Sequence, residues 1–119
     1  WTELENYLIT NGYNYNGTTT GNNIAKSLAS TTDWSTYSIT GAIGNDLTKN
    51  NSSGFNAFPG GNRISNGTFS YVTSSSYWWS STETKTGDAL GRMLYSDGQS
   101  LNSGIFAKSY GFSVRCVKN

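Results

Sequence analysis

Apolar residues are sparse along this chain, and their spacing changes character once. Trp1, Leu4 and Leu8 recur at i, i+3 and i+7, the stripe of a short amphipathic helix, and Asn11-Gly12 supplies a pair able to end it in a left-handed turn. A polar stretch over residues 13–21 leads to a second, shorter helix carrying Ile24, Ala25 and Leu28. Beyond Trp34 the apolar signal fades. Residues 35–53 are expected to form a long irregular excursion, pinned to the body by Ile39, Ile43 and Leu47.

From Phe55 onward the pattern becomes that of short strands separated by turn signals. Phe55 and Phe58 lead into the break Pro59-Gly60-Gly61. Asn66-Gly67 lies between Arg63-Ile64 and Phe69–Tyr71, and Asp97-Gly98 lies between Met93–Tyr95 and Leu101. Both dipeptides suit the positive φ of type I′ hairpin turns. Two segments read as firm strands: Tyr77-Trp78-Trp79-Ser80-Ser81-Thr82-Glu83, and Gly111-Phe112-Ser113-Val114-Arg115-Cys116-Val117, where Phe112, Val114 and Cys116 alternate with their neighbours. Adjacent strand residues face opposite sides, so only one of Trp78 and Trp79 enters a given core. Helices first and strands afterwards predict an α+β fold in one domain.

Composition sharpens this picture. In 119 residues, 34% are hydrophobic and 13% charged, while Asn, Ser, Thr and Gly make up about half of the chain. Such a mix borders on disorder, but four Trp, eight Tyr and five Phe supply a core, since each ring buries roughly 150–250 Å². The net charge of +1 comes without a basic cluster, so neither nucleic acid nor an anionic membrane is an expected partner. No run is long and apolar enough to predict direct membrane insertion. The low charge and the polar small residues fit an extracellular bacterial protein.

The chain has no His, which removes Ser-His-Asp, Cys-His and His-based metal chemistry. Cys116 is the sole cysteine and is expected as a small buried hydrophobe in the closing strand. The seven carboxylates are scattered; a pair converging in space for glycoside hydrolysis stays open as an enzymatic alternative. Asp46 with neighbouring carbonyls offers at most a weak calcium site, and no metal or cofactor is predicted. Glu83 and Arg115, in or beside strands, are expected to lock the sheet through an ion pair or hydrogen bonds to loop carbonyls.

Between and before the two framing motifs, Tyr71, Tyr77, Tyr95 and Tyr110 are interspersed with Ser75, Ser96, Ser100, Asn102, Ser103 and Gly104, and Ile105-Phe106 forms an apolar pair in what reads as a polar loop. Tyr with Ser, Gly and Asn is the vocabulary of binding loops: rigid amphipathic rings with small polar partners. Arg92 and Lys108 would add charge complementarity. The expected activity is therefore ligand binding rather than catalysis, with a purely structural role in a larger protein as a further alternative.

The motifs Trp1-Thr2-Glu3-Leu4-Glu5-Asn6-Tyr7-Leu8, Gly41-Ala42-Ile43-Gly44-Asn45-Asp46, Gly54-Phe55 to Pro59-Gly60-Gly61, and the two framing segments together resemble the Fibrobacter succinogenes major paralogous domain, abundant in Bacteroidetes. That resemblance spans essentially the whole chain. It implies the formylglycine-generating-enzyme-like branch of the C-type lectin-like fold: two helices packed on a small twisted antiparallel sheet with long irregular loops. It also implies a single domain over residues 1–119 that lacks the N-terminal strand preceding the residue matching Trp1. The catalytic branch uses a cysteine pair, whereas only Cys116 occurs here, and the calcium-chelating motifs of sugar-binding lectins are missing.

The chain is similar as well to variable proteins of diversity-generating retroelements, in which mutagenesis at adenines rewrites an exposed face between fixed motifs. By that likeness the ligand-binding face comprises Tyr71, Ser75, Tyr77, Asp88, Gly91, Tyr95, Asp97, Ile105, Phe106 and Tyr110, with Arg92 and Lys108 beside it. Trp78, Trp79, Glu83, Phe112, Val114, Arg115 and Cys116 form the structural frame. Met93 departs from the pattern, because adenine changes alone do not produce its codon. The implied setting is the bacterial surface or exterior, within a larger surface protein whose ligand is a protein or a glycan.

Overall fold

The helical stripe forms as its spacing predicts. In the computed structural model, which describes residues 1–116, helix α1 runs Thr2–Thr10 and buries Leu8, with Trp1, Leu4 and Ile9 packed against the same core. Glu3 and Glu5 stand in its first turn, where carboxylates complement the positive end of the helix. The helix stops at Asn11, whose side-chain amide donates to the Tyr7 carbonyl at 2.8 Å, and the chain turns away through Gly12 at φ +75°. Helix α2, Ala25–Leu28, is a single turn with all four residues buried. It sits at the centre of the core, among Ile24, Trp34, Ile43, Trp78, Leu94 and Leu101.

The strands make two antiparallel sheets. Strands β1 (Asn62–Arg63) and β2 (Phe69–Ser70) form a small hairpin, and β3 (Ser75–Lys85), β4 (Asp88–Tyr95) and β5 (Asn102–Ala107) form a meander. Trp78 pairs with Arg92 and Ser76 with Leu94, so this face of the meander looks onto the helices; the ladder slips between Trp79 and Glu83. The result is a small α+β domain, as expected.

Several local expectations are corrected. The Asn66-Gly67 turn is not type I′: only Gly67 has positive φ, the Gly67 amide donates to the Ile64 carbonyl at 2.9 Å, and the Asn66 carboxamide oxygen accepts from the Thr68 amide. Asp97 and Gly98 have ordinary φ as well, because Tyr95–Gly98 is one turn within a longer loop that lets Met93 pair with Asn102. The tightest hairpin, β3 to β4, turns instead at Gly87, φ +92°. Ile105 and Phe106 lie in a strand, β5, not in a loop. Ile43 is buried and Leu47 packs against the core, but Ile39 is 48% exposed and pins nothing.

The closing segment departs most. Gly111 bridges Arg63 and Ser113 bridges Trp78, but residues 114–116 pair with no strand. Val114 is 73% exposed and Cys116 is exposed, so the predicted apolar face ends at Phe112. The chain is drawn off the β3 edge at Arg115, whose guanidinium sits 4.1 Å from the Phe55 ring centroid and donates to the Phe55 carbonyl at 2.6 Å. Val117 lies outside the described residues.

Candidate functional site

The face of the meander turned away from the helices is covered by aromatic rings. Alternation along β3 sends Tyr77 and Trp79 to this side while Trp78 enters the core, and register places Met93 opposite Tyr77 and Gly91 opposite Trp79. On β5, Gly104 faces Gly91 and Phe106 faces Ala89. The closing segment then lays Tyr110 and Phe112 across the strands. Phe112 stacks on Trp79 with centroids 4.3 Å apart, approaches Tyr77 at 5.0 Å and meets Phe106 edge-on at 4.9 Å. Tyr95 extends the layer edge-on to Tyr77 at 6.2 Å, and Tyr110 lies 6.3 Å from Phe106.

Two glycines make this layer flat. A Cβ on Gly91 would stand 3.0 Å from the rings of both Phe106 and Phe112, and one on Gly104 would stand 3.0 Å from Phe106. The Phe106 ring therefore lies directly on the bare backbone of a cross-strand glycine pair. Tyr77 and Met93 are buried beneath, while Trp79, Tyr95, Phe106, Tyr110 and Phe112 remain half-buried at the surface.

At the end of the layer near Tyr95, the loop before β3 turns through two left-handed residues other than glycine, Tyr71 (φ +63°) and Thr73 (φ +68°). For a β-branched Thr this conformation is strained. The Tyr71 carbonyl, which accepts from the Ser75 amide at 2.9 Å and the Ser74 hydroxyl at 3.1 Å, holds the turn and leaves the Tyr71 side chain exposed. Burial pushes the Tyr77 phenol up to about 12, with the neighbouring Tyr95 adding to the rise and a Ser75 hydrogen bond opposing it.

The sequence-predicted set is thus divided. Tyr71, Tyr77, Gly91, Tyr95, Phe106 and Tyr110 come together on the outer face; Ser75, Tyr77 and Gly91 are buried and act from below the surface. Arg92 and Ile105 belong to the other face. Arg92 points to α1 and pairs with Glu5 at 3.0 Å, and Ile105 faces the helix side, 60% exposed. Asp88 shares that face and pairs with Lys85 at 3.2 Å, Lys108 pairs with Glu83, and Asp97 is exposed on its turn. Of the charges expected to meet a ligand, Arg92, Asp88 and Lys108 are thus held by partners within the domain, and Asp97 is not.

Two residues assigned to the frame, Trp79 and Phe112, are part of the face itself. Trp78 alone of the tryptophan pair is core. Glu83 forms only a surface ion pair, whereas Arg115 does bind a loop carbonyl. Cys116 is corrected from buried to exposed; it lines a cavity of about 740 Å³ with Trp1, Leu4, Phe55, Trp79 and Val114. Sequence reading missed Gly104 as the partner of Gly91; β5 would have been legible had Asn102, Gly104 and Phe106 been read as one alternating face.

Asp46 is occupied locally. Hydrogen bonds from Thr48, at 2.6 Å, and from Lys49 hold its carboxyl below the usual carboxylate range. Among the described residues no group of three or more His, Cys, Asp or Glu stands close enough to hold a metal ion.

Two helices on one side of an antiparallel meander, with an aromatic layer on the other, define a small α+β domain. The chain belongs to the Fibrobacter succinogenes major domain family, whose model matches residues 1–118. No curated protein and no solved structure matches it.

Proposed function

We propose that this is a non-catalytic, C-type lectin-like binding domain of a bacterial surface or secreted protein, which engages a protein or glycan through the outer face of its meander. The observation that carries this reading is the continuous layer Trp79, Tyr95, Phe106, Tyr110 and Phe112, half-exposed on the side of the sheet away from the helices, with Tyr71 presented at its end by a strained loop. Half-exposed rings with few torsions to order give contact area at low entropic cost. Arg92, Lys108 and Asp88 are paired within the domain, so recognition would rest mainly on apolar contact and tyrosine hydroxyls, without a metal or cofactor.

Framing motifs around this face suit diversification by a retroelement, with variation concentrated at outer-face positions such as Tyr71, Tyr95, Phe106 and Tyr110. Sibling copies from one genome would then differ at these codons and agree at Trp78 and Phe112. Evenly scattered differences count against this.

A glycan and surface-protein array probed with the wild type and with a Tyr95→Ala/Phe106→Ala variant tests the binding reading. Interactions lost in the variant support the face, and a variant that keeps every interaction removes it. An enzymatic alternative has one observation in its favour, the exposed Cys116 at the edge of a cavity. It requires a turnover that Cys116→Ser abolishes.

A further inference from the structure

Lys26 is the one charged residue of α2, and it is only 6% exposed. Its ammonium does not reach a carboxylate. Instead Nζ is ringed by backbone carbonyls of a single loop: Ala42 at 3.1 Å, Ile43 at 3.4 Å, Asp46 at 3.2 Å, and Asn45. Asp46 adopts φ +55° within this ring, while its carboxylate turns outward to Thr48 and Lys49. An ammonium has three protons to donate and no acceptor, so a shell made only of carbonyl oxygens is the surroundings of a bound cation. Neutral carbonyls are the ligand type that replaces the hydration shell of potassium, whereas calcium sites draw on carboxylates.

The ring is wired to the sheet. The Ala42 carbonyl shares its peptide unit with the Ile43 amide, which donates to the Gly98 carbonyl at 3.2 Å. The Ile43 carbonyl shares its unit with the Gly44 amide, which donates to the Ser96 carbonyl at 2.7 Å. A cation on the oxygen of a peptide polarises the N–H at its other end and strengthens the bond that N–H makes. Gly44 permits the approach, since a Cβ there would stand 2.3 Å from the Ser35 carbonyl and 3.0 Å from that of Ser96. Ser96 and Gly98 belong to the turn that follows Tyr95.

We infer that residues 42–46 form a monovalent-cation-binding loop whose cation is built in: the Lys26 ammonium fills a potassium-like carbonyl cage and, through the peptides 42/43 and 43/44, clamps the Tyr95–Gly98 turn. The cage accepts an external cation of matching size once the tether is cut. This inference stands whatever the outer face binds.

The test uses Lys26→Ala and Lys26→Met in the full domain. Lys26→Ala removes three carbons and the nitrogen, which n-propylammonium replaces. Its thermal midpoint is expected to fall by several degrees and to rise again, saturably, with n-propylammonium chloride, but not with tetramethylammonium chloride at equal ionic strength. Lys26→Met keeps an apolar stem and should show faster hydrogen exchange at the Ile43 and Gly44 amides. Equal effects of the two salts on Lys26→Ala, or a Lys26→Met protein with wild-type stability and unchanged exchange at both amides, would overturn the inference. Should Lys26→Ala not fold, the Lys26→Met exchange measurement decides alone.

Discussion

The Trp79 indole and the Phe112 ring stack 4.3 Å apart with their planes 26° from parallel, joining edge strand β3, which carries one framing motif, to the closing segment that carries the other. That stack anchors a closing segment that pairs through isolated bridges at Gly111 and Ser113 and with no strand beyond them. Replacing Phe112 with Ala should therefore release residues 110–116 as well as open the layer. Loss of a partly buried ring of this kind costs roughly 3 kcal/mol, at the low end for aromatic truncation. Urea unfolding should show the cost, and the near-ultraviolet circular dichroism of the tryptophans should weaken with it.

Gly91 tests the flatness of the layer. Gly91→Ala places a methyl group 3.0 Å from two rings, and overpacking of this sort costs about 1–3 kcal/mol. In a Gly91→Ala/Phe106→Ala double variant the two losses should fall short of additive, because the second change removes part of the clash created by the first. Strict additivity in urea midpoints would show that the rings do not rest on Gly91.

Arg92 ties α1 to the sheet from the face opposite the aromatic layer. Its guanidinium meets Glu5 at 3.0 Å, and Glu5 also accepts from the Asn22 side-chain Nδ2 at 2.8 Å. Both side chains are largely covered, so Arg92→Met should cost roughly 1–3 kcal/mol in stability and leave the affinity of any outer-face ligand unchanged. Ile105→Ala should likewise spare binding. Titration of array hits with these two variants, beside Tyr95→Ala, separates the faces.

The Tyr77 phenol gives a pH signature. An unfolded tyrosine ionises near 10.0, whereas folded Tyr77 holds its proton to about 12. Above pH 10 the unfolded state therefore binds fewer protons than the folded one, and stability falls as pH rises until it passes about 12. Absorbance titration of the phenolate band should show a late-ionising tyrosine, absent in Tyr77→Phe, and the alkaline loss of stability should shrink in that variant.

Cys116 is exposed, so an aromatic disulfide reagent should label it at native pH without denaturant. Cys116→Ser should change stability by no more than about 0.5 kcal/mol, as for an ordinary surface substitution. A thiol that reacts only after unfolding would place it back in the core.

Local pattern determined a good deal by itself. The stripe Trp1, Leu4, Leu8 specified α1, and the adjacency of Trp78 and Trp79 required them to serve opposite faces. Each follows from periodicity or from side-chain type, which act over a few residues. Tertiary structure decided the rest. Alternation in the closing segment promised a strand with Val114 and Cys116 inside, but a strand needs a partner edge, and after Ser113 the ladder ends and Arg115 is captured by Phe55. Whether Arg92 met a ligand or Glu5, and whether Ile105 shared a face with Phe106, depended on register across β3, β4 and β5. Register is a relation between segments distant in sequence, and a shift of one residue exchanges the two faces.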